Sequence, residues 1–518
     1  MGLTQWLTRA SRQRGEAVAL VFEDKSYSWR AFEDRVSRLA GVLRGLGVGT
    51  GDRVAMLANS SHRYIEYYYA TLWAGGIMVP LNTRLALPEI VEQARDAEPV
   101  VLIVDEAFAD QARPLMQAAP SFRHVILAGD GPAPDGMIGY EAAIAAAGPV
   151  ADAGRDGDDV ACLFYTGGTT GRAKGVMLSH GNLIANALNT LAVNGFDETL
   201  AHLHAGPLFH LAAGGRVFAT TVAGGRHVVA ARFTPKDALE IIAREKVTTA
   251  TFVPTMLGMI LQLPDFDAYD LSSLTRITYG ASPMPEALLR EGLARFPGVA
   301  FAQSYGMTEL SPMATFLAPE DHRLDGDTKR LRSAGRAVPG VEVRVVDEAD
   351  QPLPPGRIGE VVARGPTVMK GYWRQPELTA IALRGGWMHT GDAGYFDEDG
   401  YLYVVDRTKD MIVSGGENVY STEVENAVSQ HPAVAQCAVI GIPDAKWGEA
   451  VHAIVVPRDG RELSEAAVIG HCRTLIAGYK CPRSVEVRRE PLPLSSVNKI
   501  NKAALRAPFW AGRDRQVN

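Results

Sequence analysis

The stretch Tyr165-Thr166-Gly167-Gly168-Thr169-Thr170-Gly171-Arg172-Ala173-Lys174-Gly175 concentrates glycine, threonine and lysine directly after the apolar run Val160-Ala161-Cys162-Leu163-Phe164. Glycines let several backbone N–H groups converge on one concavity, threonine hydroxyls add donors, and a lysine supplies a mobile point charge; such a loop suits phosphate. A surface turn with a solvated lysine uses the same residue types. A Walker-type loop is excluded, because it needs glycine immediately before its lysine and Ser or Thr immediately after it to reach magnesium. Here Ala173 and Gly175 flank Lys174.

Six further patches follow: Pro207-Leu208-Phe209-His210, Tyr279-Gly280-Ala281-Ser282-Pro283-Met284, Gln303-Ser304-Tyr305-Gly306-Met307-Thr308-Glu309, Trp387-Met388-His389-Thr390-Gly391-Asp392, Asp406-Arg407-Thr408-Lys409-Asp410 leading into Ser414-Gly415-Gly416, and Asn498-Lys499-Ile500-Asn501-Lys502. Their order and spacing resemble the acyl-adenylate-forming superfamily, and within it the acyl-CoA synthetases, over essentially the whole chain. Chemistry of that kind explains the residue types. A carboxylate resists thiol attack because its leaving group would be oxide, so the acid first displaces pyrophosphate from ATP to give an acyl adenylate, from which AMP leaves readily. Two anions must meet in that step, which calls for positive charge between them.

The resemblance implies that Lys499 supplies this charge. It also implies that Lys174 and the loop Thr166, Gly167, Gly168, Thr169, Thr170 and Gly171 hold the departing phosphates, and that Thr308 and Glu309 meet the phosphates and Mg²⁺. Asp392 is implied to bind the ribose hydroxyls, although an ordinary turn Asp after Gly391 has the same look. Arg407 is implied as a ribose contact at an interdomain junction; Asp406 and Asp410 offer it a structural ion pair instead. Tyr305 is implied to stack on adenine, with Gly280, Ala281, Ser282, Gly306 and Met307 around it. His210 resembles the residue between acid pocket and thiol tunnel. His210, Ala212, Ala213, Gly214, Gly280 and Gly306 are the expected acid pocket, apolar and uncrowded, with no evident cation for a second carboxylate.

The second step, thiol attack by CoA, needs Lys499 withdrawn. By resemblance the small C-terminal domain rotates about Lys409, and Ser414, Gly415 and Gly416 leave room for the pantetheine arm. Four residues at three places depart from the family pattern. Gly167 stands for a frequent serine, Ala173 for a frequent proline, and Val497-Asn498 for the usual Thr-Gly before the lysine, which leaves Lys502 as a rival to Lys499. The implied reaction is ATP-dependent acid–CoA ligation of a medium- or long-chain fatty acid or an aryl, hydroxycinnamate-like acid. Loading of a carrier-protein thiol, luciferase-like oxidation and an inactive nucleotide-binding homologue are the alternatives.

The 518 residues carry 47% hydrophobic side chains and a net charge of -7. That length divides into at least two domains, and the acidic balance gives no nucleic-acid footprint. Four scattered cysteines, Cys162, Cys437, Cys472 and Cys481, suggest neither a zinc ribbon nor a disulfide framework, and fit a reduced cytoplasmic setting. The N-terminus has no signal-peptide pattern and no apolar run is membrane-spanning, so membrane contact would be peripheral. A homodimer is common in the resembled family.

The elements that must position these groups read as an α/β fold. Residues 17–29 alternate as paired strands, and Phe32, Val36, Leu39, Leu43 and Leu46 share a helical face capped by Ser28. Arg53–Leu57 reads as a buried strand, 64–73 as a helix ending at Gly75-Gly76, and 100–104, 124–127, 247–253 and 274–279 as further strands of substantially parallel sheets. From about 335 the texture becomes β-rich, with strands at 341–346, 359–363 and 399–405. Past Asp410 a compact α+β unit follows, with helices at 421–430 and 465–475 and strands at 435–440 and 450–456. The expected organisation is a large N-terminal domain over 1–408, its β-rich subdomain over 335–408, and a mobile C-terminal domain over 409–518.

Overall fold

The computed structural model describes residues 2–166, 173–325, 328–407, 410–414, 417–444, 446–495 and 499–511, Arg407 by its backbone alone. Among these residues the strands form sheets of nine, eight, four and five strands. The nine-stranded sheet is parallel through its middle, where the strands Ala201–His204, Thr249–Phe252, Arg276–Gly280 and Ala300–Gly306 run in order, and antiparallel at both edges. The eight-stranded sheet is likewise parallel through Arg53–Leu57, Ile77–Pro80, Val101–Asp105 and His124–Ala128.

The Trp29–Gly45 helix begins where Ser28 Oγ accepts the Ala31 amide at 3.2 Å, and its apolar stripe of Phe32, Val36, Leu39 and Leu43 is fully buried. The His62–Ala74 helix is buried at every position and ends at left-handed Gly75. It needs partners for its tyrosines: Tyr67 donates to the Val54 carbonyl and accepts from the Val79 amide, both at 2.8 Å. Its side chains belong to one core with residues of both large sheets, including Leu20, Val229, Val54 and Met78. The two sheets are thereby fixed relative to each other, as a cleft built from both requires.

The strands Glu342–Val346, Gly359–Arg364, Met388–Phe396 and Leu402–Arg407 form the antiparallel four-stranded sheet. Beyond it, five strands carry the helices Ser421–Ser429 and Glu465–Arg473 on one hydrophobic cluster and the helix Lys502–Trp510 on another. Asp406 of the four-stranded sheet reaches into this unit and accepts from Ser421 N at 2.6 Å and Ser421 Oγ at 2.8 Å.

Candidate active site

The strands Val160–Thr166 and Lys174–Ser179 are antiparallel, with Thr166 opposite Lys174. Gly167, Gly168, Thr169, Thr170 and Gly171 lie outside the described residues; Lys174 opens the strand that follows them. Its ammonium sits over the ring of Tyr372, 4.9 Å from the centroid, and the Tyr372 hydroxyl donates to Glu309 Oε1 at 3.1 Å. Burial, with Glu309 adding to it, pushes the Tyr372 hydroxyl pKa up, so it stays protonated as a donor. Thr308 and Glu309 are buried in the short turn Thr308–Leu310. No three His, Cys, Asp or Glu side chains converge on a metal site among the described residues. The Glu309 carboxylate, one oxygen of which is held by Tyr372, is the kind of oxygen donor that a hard cation takes together with phosphate oxygens and water.

Two adjacent parallel strands, Arg276–Gly280 and Ala300–Gly306, end together with Gly280 opposite Ser304. Ligands of open α/β sheets bind at such carboxyl ends. Glycine is required at both: a Cβ on Gly280 would lie 2.2 Å from the Ser304 carbonyl oxygen, and one on Gly306 only 2.0 Å from that of Pro312. Ala281 holds a left-handed φ of 66°. Tyr305 donates to Asp392 Oδ2 at 2.7 Å, which ties the aromatic to the expected ribose carboxylate. Asp392 is cross-strand partner to Arg407, so the two expected ribose contacts share one register position, although the Arg407 side chain lies outside the described residues. Ser282 and Met307 flank this region without lining the cavity beside it.

That cavity is lined by His210, Ala212, Ala213, Gly280, Gly306 and Lys499 among others. His210 caps the Leu211–Ala223 helix, its Nδ1 accepting the Ala212 amide at 3.2 Å. Burial, and secondarily the charge of Lys499, lowers its pKa to about 3, so the ring is neutral with its proton on Nε2. Lys499 lies beside Leu494 and Ser495: Ser495 N donates to the Lys499 carbonyl at 2.6 Å and Leu494 bridges Ile500. Lys502 is placed elsewhere, ion-paired to Glu425 at 2.7 Å and donating to Ser421 Oγ at 2.6 Å.

Two expectations for the pocket are corrected. Gly214 does not line it; a Cβ there would stand 2.5 Å from the Tyr68 hydroxyl, on another side of the helix, and Gly215 takes the place at the cavity. The pocket also holds a cation, Arg216, which the run Leu211-Ala212-Ala213-Gly214-Gly215 did not suggest. Helical periodicity explains both: Arg216 falls three and four residues after Ala213 and Ala212 and shares their face, whereas Gly214 does not. Tyr372 was missed because its partners, Lys174 and Glu309, are remote in sequence. Ser414 is buried at the end of the strand Ile412–Ser414, while Lys409, Gly415 and Gly416 lie outside the described residues.

The segment from Tyr305 to Glu309 joins two cationic corners, Lys499 across the cavity beside His210 and Lys174 through Tyr372 and Glu309. A carboxylate and a polyphosphate can meet between them, and this fold and site define an acyl-adenylate-forming enzyme. Residues 7–373 match the AMP-binding enzyme family and residues 423–499 its C-terminal domain, and the chain belongs to that family. It is 40% identical to the feruloyl-CoA synthase of an Amycolatopsis species over 98% of this chain and 99% of that one. It is 36% identical to the indoleacetate–CoA ligase of Aromatoleum aromaticum, covering 98% of each. The ATP-bound structure of MatB from Rhodopseudomonas palustris superposes with a TM-score of 0.88 at 34% identity, over 98% of this chain and 99% of that one. By class the chain is an AMP-forming acid–CoA ligase. Among the described residues no helix is long and apolar enough to cross a membrane.

Proposed function

We propose that the cavity beside His210 receives an aryl or fatty acid, that Lys499 draws its carboxylate onto the α-phosphate of ATP, and that Lys174 with the loop before it assists the departure of pyrophosphate. Carboxylate and ATP give acyl-AMP and pyrophosphate; the CoA thiol then displaces AMP to give the thioester. Asp392 and Arg407 hold the ribose, Tyr305 stacks on adenine, and Glu309 would hold Mg²⁺, which would neutralise charge on the phosphates when bound. Neutral His210 offers an Nε2 proton to the acid without competing with Lys499 for its charge. For the second step the C-terminal unit turns about Lys409, withdrawing Lys499 and bringing Ser414, Gly415 and Gly416 to the thiol. Four cysteines without disulfides suit a reducing cytoplasmic compartment.

The observation that carries this reading is Lys499, a residue of the C-terminal unit, lining one cavity with His210, Gly280 and Gly306 of the large unit. The relatives named as CoA ligases for feruloate and indoleacetate support aryl acids as the first to try. A panel of acids assayed for acid-dependent pyrophosphate release and CoA-dependent AMP formation tests it. Release of pyrophosphate without any use of free CoA would favour a carrier thiol as acceptor.

A further inference from the structure

The chain crosses from the large unit to the C-terminal unit between Asp406 and Asp410, and one buried cluster spans that crossing. Asp406, on the strand Leu402–Arg407, is 6% exposed and accepts from the Ser421 amide at 2.6 Å and the Ser421 hydroxyl at 2.8 Å, where the Ser421–Ser429 helix begins. Ser421 is wholly buried, and its hydroxyl, having given its proton to Asp406, accepts from the Lys502 ammonium at 2.6 Å. Lys502 in turn pairs at 2.7 Å with Glu425, on the same helix as Ser421. Against burial, the charges of Glu425 and then Asp406 raise the Lys502 pKa, so it stays an ammonium.

The members of this cluster divide between the two units. Ser421, Glu425 and Lys502 belong to the C-terminal unit, Lys502 in the same segment as Lys499. Asp406 belongs to the four-stranded sheet: it stands opposite Ala393, next to the position where Arg407 stands opposite Asp392. A neighbouring ion pair, Asp410 with Arg506 at 3.0 Å, has both members beyond the crossing and would travel with the C-terminal unit. The Asp406–Ser421 bonds therefore tie the sheet that carries the expected ribose contacts to the unit that carries Lys499. A turn of that unit about Lys409 changes the distance from Asp406 to Ser421, and hydrogen bonds of 2.6 and 2.8 Å break rather than stretch.

Resting on the two-step reaction and the turning C-terminal unit proposed above, we infer that Asp406 is a positioning residue: with Ser421 it latches that unit where Lys499 meets the acid, and it must let go before the thiol attacks. Asp406 acts through Lys499 and not on the reacting atoms. Such a latch works on populations. Weakening it lowers the adenylating share, raises the thiolating share, or does both, and in each case the ratio of the two rates moves by the factor the latch has lost. A residue needed only for folding moves both rates together.

The test measures the half-reactions separately: acid-dependent pyrophosphate release, and AMP formation from preformed acyl adenylate and CoA. In Asp406→Ala the ratio of the second rate to the first is expected to rise about tenfold or more, as loss of charge-assisted hydrogen bonds allows; in Ser421→Ala, which keeps the amide bond, it rises less. Asp410→Asn, within the C-terminal unit, leaves the ratio where it was. A ratio in Asp406→Ala that stays or falls, or one that rises equally in Asp410→Asn, overturns the inference. Position is read directly with Glu291→Cys and Arg458→Cys, whose parent side chains meet across the two units at 3.9 Å. The yield of their bismaleimide cross-link in the unliganded enzyme, counted by mass spectrometry, should drop when Asp406→Ala is added, and a yield that holds also overturns the inference. Should Asp406→Ala fail to fold, Ser421→Ala decides by the same two measurements. Working half-reactions with an unmoved ratio overturn the latch alone, whereas no pyrophosphate release by wild type with any carboxylic acid would overturn the ligase reading itself.

Discussion

Lys499 and Lys502 stand three residues apart with opposite surroundings, and replacing each by alanine separates chemistry from architecture. Lys499 lines the cavity beside His210. Removing one cation aimed at charge that develops in a transition state costs on the order of 10²–10³ in rate. Lys499→Ala should therefore lose about that much acid-dependent pyrophosphate release while its melting temperature holds. Lys502 has the reverse profile. Its ammonium and the Glu425 carboxylate are 19% and 18% exposed at 2.7 Å, and Glu425 also accepts the Val439 amide at 2.8 Å. Burial alone would lower the Lys502 pKa, but the charges of Glu425 and Asp406 outweigh it and raise it.

Stranding one member of a largely buried pair costs about 3 kcal/mol or more. For a unit of roughly 100 residues that corresponds to a fall of about 12 °C or more in the melting temperature of the C-terminal unit. Lys502→Ala should thus melt early yet still release pyrophosphate when assayed well below its transition. Replacing both partners, Lys502→Met with Glu425→Leu, should recover part of the stability, because the stranded Glu425 charge is removed while the Val439 amide and Asp406 each lose a partner. Differential scanning calorimetry with a pyrophosphate assay at low temperature checks all three variants. A stable, inactive Lys502→Ala beside an active Lys499→Ala would refute the assignment of roles.

Tyr372→Phe keeps the ring under Lys174 but deletes the hydroxyl bonded to Glu309; loss of about 1 kcal/mol at that bond should raise the KM for ATP about fivefold, and an unchanged KM would separate Tyr372 from the phosphate corner. Gly306→Ala drives a Cβ to within 2.0 Å of a backbone oxygen that cannot swing away, so activity with every acid should fall at least tenfold; wild-type kinetics in that variant would contradict the cleft geometry. His62, His204 and His210 have pKa values lowered to about 3, and His180 and His322 to about 4, each mainly by burial. Folded values below the unfolded value near 6.5 mean the unfolded chain binds more protons, so stability is full above about pH 6.5 and declines as pH falls toward 4. Each histidine contributes a slope of about 1.4 kcal/mol per pH unit. Urea midpoints at pH 7.5, 6.5 and 5.5 should drop in that order, and a flat series would show that these rings are not buried neutral.

What could be read from the sequence follows the range of the interactions involved. Local signals were legible: the Arg53–Leu57 strand, the Ser28 cap and the glycine stop at Gly75 depend on neighbours in the chain, and they stand where the pattern set them. Composition also marked the change to an antiparallel sheet after residue 335, since alternation and turns are local properties. Strand ends were misjudged by one to several residues where pairing decides them; Ala435–Ile440 extends to Val434–Asp444 because its partner Gly448–Pro457 stays in register that far. Glycines forced by close backbone approach, as at Gly280 and Gly306, were equally visible, because they leave a composition that cannot be imitated cheaply.

Arg216 shows what kind of residue escapes. Nothing beside it in the chain is charged, its face is set by a helix start that His210 determines, and its meaning is the absence of a partner, which only the packed structure displays. A small-residue run was read as a featureless wall, and the period of the helix turns that wall into two sides, Gly214 against Tyr68 and Ala212, Ala213 and Arg216 on the cavity. The same distinction governs how such enzymes diverge. On the function proposed above, the adenylating groups meet a fixed nucleotide and are held by backbone approach, whereas the acid meets single side chains on one helix face and on the strand ends. Substrate choice can change there by one substitution without disturbing either cationic corner.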